Sequence, residues 1–433
     1  MKHGHDNTEN GQSPLEFYLK IGIIGLTSGL VATIFRWGLA QAQIFRDHLY
    51  QDPNPWQDIL LMISLAFTLS WVISHLLKIA PYTGGSGIPQ AMADFNGQAD
   101  TPIWPSLISK FFGGILNAII GYSVGRQGPA VQMGSLIGKK IGLTSTLHHR
   151  RIFMAAGASA AIAASFNAPI AATVFSGLIF FKTFKHLGML ACLIASLIGH
   201  VTSMMLIQWP LSFDFTSDFS WSLASGQALV ALAVTGTSAA CVFQWGRKIV
   251  QSRIRHLPLT LRSRIVIISL IVGGLGFYMP QMQAGGHPLI LTLAQESVEF
   301  KTLVLFWIVK LIVTLVCFNS GVQGGSFFPL LTLGALTGRL SFHILSYILG
   351  PAISMQTCLV LAMAAIMAGV LHLPLFSSLI LIEMTGNLHL ALPIFMTTYL
   401  AYLLAKAIKL SPLFDQLYQD AFSSPDSIHK DIK

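Results

Sequence analysis

Three short stretches of the chain combine glycines with a proline at the point where an apolar run begins. They are residues 84–89 (GGSGIP), 124–129 (VGRQGP) and 324–329 (GGSFFP). Proline suits the first turn of a helix, because the N–H that it lacks would have no partner there in any case. The N–H groups of that turn are left unpaired and carry the positive end of the helix dipole. Inside a membrane, such a helix start is predicted to bind an anion.

The elements that must position these stretches are membrane helices. The chain has 433 residues, of which 53% are hydrophobic and only 10% are charged, and its mean hydropathy is +0.65. A soluble domain is about one-quarter charged, so the composition predicts an all-α polytopic membrane protein. About eleven apolar stretches are long enough to cross or partly cross a bilayer. Several contain glycine or proline, which is typical of broken helices that are shielded by protein.

The formal charge of +9 reflects cations in loops rather than a surface for nucleic acid. The densest cationic cluster lies between Arg247 and Arg264, and the positive-inside rule places it on the cytoplasmic side. No aromatic residues interleave with it in the manner of a nucleic-acid groove. Residues 1–13 are polar, so no cleavable signal peptide is expected. We predict a multi-pass protein of the bacterial inner (plasma) membrane.

No metal centre, disulfide framework or enzyme active site is predicted. His148 and His149 are adjacent in a basic loop without a nearby carboxylate or cysteine, which favours a solvated loop over a metal site. The cysteines lie far apart within apolar runs, which is typical of buried thiols. They are Cys192, Cys241, Cys317 and Cys358. No nucleophile–base pattern indicates catalysis, and no cofactor is expected.

The second half of the chain repeats the first. Pro129 and Pro329 are 200 residues apart, and Pro169 and Pro374, each at a helix restart, are 205 residues apart. Near-equal offsets indicate an internal duplication, in which ligand sites form between the halves near the middle of the membrane. The predicted divisions are a polar cytoplasmic N-terminus (1–14), a first repeat (15–219), a second repeat (220–415) and a short cytoplasmic tail (416–433).

These motifs resemble those of the CLC family of chloride channels and chloride/proton exchangers. That family carries G-S-G-I-P, G-(K/R)-E-G-P and G-x-F-x-P in this order, and the chain has counterparts at 85–89, 125–129 and 325–329. The likeness covers roughly residues 15–415 and includes 110–114, 165–169 and 383–385. It implies an inverted repeat of broken and tilted helices and a homodimer with one pore per subunit. The short tail leaves no room for the CBS domains of some relatives.

The resemblance also implies which residues bind the anion. Hydroxyl and backbone N–H donors replace the hydration of a large anion without a full charge that would trap it. The implied positions are Ser86, Gly87, Ile88, Arg126, Gln127, Gly128, Phe327, Phe328 and Phe414. Ser86 alternatively caps a helix. Lys110 either raises the pore potential for anions or extends its ammonium group to the membrane surface.

Three positions depart from the family pattern. Gln127 stands at the gate, where the family usually has a glutamate, and its amide cannot ionise. Leu178 and Ile179 occupy the positions of the acidic pair to which the inner proton-handling glutamate of the exchangers belongs. Phe414 aligns with the tyrosine that supplies a second hydroxyl to the anion. The alternatives for that hydroxyl are Tyr402 and Tyr418.

A proton relay inside a membrane needs ionisable side chains in series. Because Gln127 and Ile179 remove both stations, the sequence predicts passive, uncoupled transport of chloride and similar monovalent anions. One alternative is a chloride/proton antiporter that uses a substitute group such as Glu383 or His372, although a structural role suits Glu383 better. A second alternative is a non-conducting scaffold that retains only the fold.

Overall fold

The computed structural model describes residues 13–49, 55–183, 186–208, 211–213, 215, 219–350 and 353–422. Within these ranges the chain forms seventeen α-helices and no β-strand, which confirms the predicted all-α polytopic fold. Most of the predicted N-terminal segment (1–14) and much of the predicted tail (416–433) lie outside the described residues.

In chain order the helices are α1 (Pro14–Leu49), α2 (Pro55–Ile79), α3 (Ile88–Asn96), α4 (Ile103–Ile120), α5 (Gln127–Ile141), α6 (Leu147–Phe166), α7 (Pro169–Ser176), α8 (His186–Leu206), α9 (Leu223–His256), α10 (Leu261–Tyr278), α11 (His287–Gln295), α12 (Phe300–Phe318), α13 (Phe327–Leu349), α14 (Met355–Leu371), α15 (Pro374–Thr385), α16 (Ala391–Ala407) and α17 (Leu413–Phe422).

Among the described helices, nine are long and apolar enough to cross a bilayer. Three further apolar helices are shorter, namely Pro169–Phe181, Met355–Leu371 and Pro374–Thr385. The sequence predicts about eleven apolar stretches, a number that includes segments crossing the bilayer only in part. The number of full spans is smaller because some apolar runs are broken by proline or glycine.

The three glycine–proline stretches are helix starts, as the sequence predicts. Helix α3 begins directly after Gly87, whose φ of 91° lies in the left-handed region that favours glycine. Helix α5 begins after Arg126 and helix α13 after Ser326. In each case a proline occupies the second or third helical position, where a missing N–H costs no intrahelical bond.

Backbone hydrogen bonds join the turns of the first half to those of the second. The Gly85 N–H donates to the Val322 carbonyl, and the Gly324 N–H donates to the Gly85 carbonyl, both at 3.0 Å. Gly125 and Gly325 exchange N–H···O bonds of 2.5 and 2.8 Å. Turns in a membrane interior must satisfy their polar groups within the protein. The two halves therefore hold their helix starts together.

Two fully buried lysines brace the turns before the short helices α3 and α11. Lys110 on α4 donates from Nζ to the carbonyl oxygens of Thr83 and Gly85, each at 2.8 Å. Lys310 on α12, 200 residues later, donates to three carbonyl oxygens before α11 at 2.9, 3.5 and 2.7 Å. A buried ammonium group is tolerated only with such partners. Each lysine thus fixes the turn that aims a helix start.

Small residues let α5 lie against α6. A Cβ atom at Gly134 would be 2.2 Å from the Gly157 carbonyl oxygen, so only glycine permits this approach. The small-residue run 155–164 of α6 is buried throughout. Close packing through small residues is a common way for helices to associate in membranes. It fixes the axis of α5 and therefore the position at which α5 begins.

Candidate functional site

The starts of α3, α5 and α13 meet at one small cavity, which we call the central cavity. Its volume is about 10 Å³, enough for about one water-sized sphere. The structure brings six of the sequence-predicted residues to its wall, which are Ser86, Ile88, Gln127, Gly128, Phe327 and Phe414.

Gly128 allows the start of α5 to touch Ser86. A Cβ atom at position 128 would lie 2.1 Å from the Ser86 carbonyl oxygen and 2.6 Å from its Oγ atom. Such distances are far below van der Waals contact, so no side chain fits there. The N-cap residue of α3 is Gly87 rather than Ser86, and this cap has no side-chain hydrogen bond. The Ser86 hydroxyl is therefore not engaged in the capping role that the sequence left open.

Gln127 presents a buried donor at the central cavity. Gln127 is only 1% exposed, and its Nε2 atom has no hydrogen-bond partner among the described residues. Leaving a buried amide donor unpaired costs about 1–3 kcal/mol. A small anion in the cavity would satisfy this N–H group. The neutral amide therefore supplies hydrogen-bonding capacity without a charge that competes with the anion.

Five wall residues of the central cavity were not among the predicted ones, and two of them are Gly325 and Leu330. Ser326, one residue before α13, adds a second side-chain hydroxyl to the lining. Met367 and Leu371 of α14 form an apolar part of the wall. Ser326 lies inside the third motif and was within reach of sequence reasoning. The α14 residues were not, because an apolar run gives no sign of which of its members faces a cavity.

Phe414, and neither of the alternative tyrosines, lines the central cavity. Its ring lies edge-on to Phe175 with centroids 6.0 Å apart. Its helix, α17, is fixed by Arg247 of α9, whose Nη2 atom donates to Gln416 Oε1 at 2.6 Å. Tyr402 instead lies against His372, and the Tyr418 ring packs on Phe422. The aromatic wall of the cavity is therefore apolar at this point.

Arg126 and Phe328 line a larger cavity beyond the central one, which we call the outer vestibule. It has a volume of about 350 Å³ and is also lined by Arg46, Gly125 and His287. The Arg126 guanidinium lies 4.7 Å from the centroid of the Phe328 ring. The sequence analysis assigned Arg126 and Phe328 to the anion site. In the structure these two residues line the outer vestibule and not the central cavity. The arginines Arg46 and Arg126 make the vestibule wall basic.

A second large cavity, the inner vestibule, lies on the side of the basic cluster predicted to be cytoplasmic. Its volume is about 270 Å³, and its wall includes Arg247, Arg264, Asp420 and Ser86. Ser86 also lines the central cavity. Ser86 thus borders both cavities, and the inner vestibule has arginine side chains in its wall.

Gly87 and Lys110 lie behind the cavities rather than on their walls. A Cβ atom at Gly87 would be 2.5 Å from Gln132 Oε1 and 2.9 Å from Lys110 Nζ. Lys110 is fully buried, so its ammonium group does not extend to the membrane surface, which was the alternative left by the sequence. Its Nζ atom lies behind the start of α3, where it donates to the carbonyl oxygens of Thr83 and Gly85.

The positions of the lost proton stations are apolar or neutral here. Ile179 is 8% exposed and packs in the core, in a π-helical turn that follows α7. Glu383 lies on α15, and its two carboxylate oxygens accept hydrogen bonds from the N–H groups of Ile170 (3.0 Å) and Ala171 (2.7 Å). These contacts are those of a side chain that caps the start of α7. Within the part of the chain that the structure describes, no cluster of three metal-binding side chains exists.

The chain is similar along most of its length to two bacterial proteins named H(+)/Cl(-) exchange transporter ClcA. The protein from Vibrio parahaemolyticus is 26% identical over 423 residues, which cover 94% of this chain and 90% of the relative. One from Vibrio cholerae is 27% identical over 409 residues, which cover 91% and 87%.

Solved structures agree with this likeness. A slow cyanobacterial Cl-/H+ antiporter has 26% identity and a TM-score of 0.88, over 95% of this chain and 99% of its own. A CLC-type fluoride/proton antiporter, at 21% identity and a TM-score of 0.75, shares the fold over 92% of this chain and 97% of its own.

The prediction of passive, uncoupled transport is wrong on this comparison. It depended on the absence of carboxylates at Gln127 and Ile179, yet the similar proteins that cover nearly the whole chain are exchangers. The prediction assumed that, without carboxylates at positions 127 and 179, no other ionisable group could carry the proton. The antiporter alternative is the one that the comparisons support.

A family model also matches the chain. The family described as voltage gated chloride channel matches residues 65–406, which is well over half of the chain. The chain belongs to the voltage-gated chloride channel family.

Proposed function

We propose that the protein exchanges chloride for protons across a bacterial inner membrane. The observation that carries the proposal is the central cavity, where Ser86, Gln127 and Phe327 converge from three helix starts between two vestibules. The exchangers to which the chain is similar support the coupling to protons.

The anion route follows from the donors along it. Basic side chains of the inner vestibule raise the local concentration of anions, and Ser86 receives the ion at its narrow end. The unpaired Nε2 of Gln127 and the free N–H groups at the start of α13 then replace lost hydration. No cation lines the central cavity, so the ion is held by dipoles and can leave again.

Chloride-driven proton movement in liposomes tests the proposal. Vesicles that contain the purified protein and high KCl are diluted into low-chloride buffer with valinomycin, which lets potassium compensate charge. Exchange predicts that chloride leaves while protons enter against their own gradient, so the lumen becomes acidic. Reversal of the chloride gradient should reverse the proton movement.

Protein-free vesicles are the control for leakage. Chloride efflux with valinomycin but without any change of lumenal pH would contradict exchange. Absence of flux for several anions, from protein that remains folded, would instead favour the non-conducting scaffold.

The proton-carrying groups differ from those at the usual family positions, because neither Gln127 nor Ile179 ionises. Glu383 is the acid that the sequence singles out, but both of its oxygens are occupied at the start of α7. We therefore assign Glu383 to capping and look for a proton acceptor that faces a vestibule.

We further propose a homodimer with one anion route per subunit. The family resemblance supports it, and the predicted boundary between the two repeats near residue 219 remains part of the same proposal. Light scattering of the detergent-solubilised protein, corrected for detergent, should give twice the mass of one chain. A monomeric mass at micromolar concentration would contradict it.

A further inference from the structure

We propose that His287 takes up the proton from the outer solution, and that its protonation is coupled to anion occupancy of the outer vestibule. The inference rests on the proposed exchange function. It concerns a residue that is outside the sequence motifs discussed above.

His287 has one ring nitrogen engaged and the other available. Its Nε2 atom lies 2.9 Å from the Ser212 carbonyl oxygen. A carbonyl only accepts hydrogen bonds, so Nε2 carries the proton and Nδ1 of the neutral ring has a free lone pair. Nδ1 has no hydrogen-bond partner among the described residues and is not among their buried unpaired atoms. The basic nitrogen is therefore open to water.

The ring is held rigidly at the wall of the outer vestibule. It stacks on Phe213 with centroids 5.4 Å apart and meets Phe328 edge-on at 5.8 Å. The Arg126 guanidinium lies over the Phe328 ring, 4.7 Å from its centroid. The Phe328 ring therefore lies between His287 and Arg126, the residue directly before α5.

The internal duplication explains why this position faces a vestibule. Residues 284–288 (AGGHP) lie 199 residues after 85–89 (GSGIP), and both segments start a nine-residue helix at a left-handed glycine. Ile88 of the first half lines the central cavity. His287 is its counterpart in the second half and lines the outer vestibule. The duplication has therefore placed an imidazole at a wall position where the other half has an apolar side chain.

The charges around His287 make its protonation depend on the anion. They are Arg36, Arg46, Asp47, Arg126 and Lys310. Asp47 is paired with Arg46 at 3.1 Å, so the remaining groups oppose a further positive charge. Helices α13 and α14, which pack on α11, bring no ionisable side chain to this wall. A chloride ion in the vestibule offsets that repulsion.

The proton step is a simple transfer. A hydronium ion at the outer mouth gives its proton to Nδ1, an N–H bond forms, and a water molecule remains. The imidazolium gains one positive charge while Nε2–H keeps its bond to the Ser212 carbonyl. An anion that arrives from the central cavity on its way outward favours this uptake. Proton uptake at the outer face is thereby linked to anion exit.

His287→Gln is the test variant, because glutamine can still donate to the Ser212 carbonyl but has no basic nitrogen. His343→Gln is the matched control, since His343 is also half-buried against a phenylalanine (Phe300, 6.0 Å) but lines neither vestibule. In liposomes, H287Q should keep chloride flux within about twofold and lose at least about ninety per cent of chloride-driven proton flux. H343Q should match the unaltered protein.

A second measurement separates this inference from the exchange proposal. Calorimetric titration of chloride into detergent-solubilised protein, in two buffers of different ionisation enthalpy across about pH 4.5 to 7, reports protons taken up per anion. The unaltered protein and H343Q should take up protons, and H287Q should take up none. Equal uptake by H287Q, or none by the unaltered protein, would overturn the role of His287. A failure of chloride to drive protons, with uptake intact, would overturn exchange instead.

Discussion

Gln127 shows how one side chain decides the character of the central cavity. Its amide is almost completely buried, and Nε2 lacks a partner among the described residues. A glutamate would place a charge next to the same helix starts and would compete with the transported anion. The amide keeps a donor and removes the competitor. The exchange that we propose therefore requires another residue to accept the proton, and we propose His287.

Gln127→Glu should make transport sensitive to pH. The new carboxylate would occupy the anion position while ionised, so chloride flux should fall at least about tenfold at pH 7 and recover near pH 4.5 as the group is protonated. Chloride efflux from liposomes at the two pH values measures this. Gln127→Leu is the control, because it removes the donor without adding charge and should show little pH dependence. Equal flux of Q127E at both pH values would refute the prediction.

Gly128→Ala should disrupt the contact between α5 and Ser86. The added methyl group would meet the Ser86 carbonyl at 2.1 Å, so the start of α5 must move. We expect a loss of about 1–3 kcal/mol in stability together with weaker chloride binding. Thermal unfolding and chloride calorimetry measure both. Gly274→Ala on α10 meets no atom within 4 Å and should be neutral or stabilising. A G128A protein with unchanged melting and affinity would contradict this account of the contact.

Sequence reasoning reached the central cavity because its main residues lie within motifs. Ser86, Gln127 and Phe327 each lie one or two residues after a glycine, next to a helix start. The first N–H groups of a helix favour an anion, so the motif indicates what can bind there. His287 sits in a similar turn, but an isolated histidine gives no sign that its ring faces water. Met367 and Leu371 were missed because which face of an apolar helix borders a cavity is decided by tertiary packing.

At the level of whole helices, Glu383 connects the short helix α15 to the start of the short helix α7. The two N–H groups at the start of α7 have no intrahelical acceptors, and the carboxylate on α15 accepts from both. Helix α7 carries Phe175, which packs on Phe414 at the central cavity. The cap therefore contributes to the position of a cavity wall as well as to the stability of α7.

Glu383→Gln should destabilise the protein without altering the coupling of protons to chloride. Glutamine offers one acceptor oxygen in place of two, so one N–H group of α7 loses its partner at a cost of about 1 kcal/mol. The melting temperature should fall, while the ratio of proton to chloride flux stays constant. Glu299→Gln is the control, because Glu299 precedes α12 without a side-chain capping bond. An unchanged melting temperature with a lost proton flux would identify Glu383 as a proton carrier.

At the scale of the whole molecule, the fold was predictable from composition and spacing. Low charge, broken apolar runs and the 200-residue offset together predict a duplicated membrane protein of α-helices. The pairing of Gly85 with Val322 and of Gly125 with Gly325 was not predictable. Hydrogen bonds between turns have no sequence periodicity, so contacts between distant loops become visible only in three dimensions.

Chloride should stabilise the folded protein, since the central cavity exists only when both halves are assembled. A ligand at one hundred times its dissociation constant adds about 2.7 kcal/mol. Replacement of chloride by a large organic anion such as gluconate should therefore lower the melting temperature in detergent. Ser86→Ala should reduce the difference between the two salts. Identical melting in both salts for the unaltered protein would argue against an anion site at this cavity.

The hydrogen bonds between Gly85, Val322, Gly125 and Gly325 have a consequence for how such a protein can arise and assemble. Each half, expressed as a separate polypeptide, would expose unsatisfied peptide groups midway through lipid and would bind no halide. Two fragments supplied in one cell should complement each other, because each provides the other's missing acceptors. We therefore expect neither half to transport chloride alone, because residues of both halves line the central cavity.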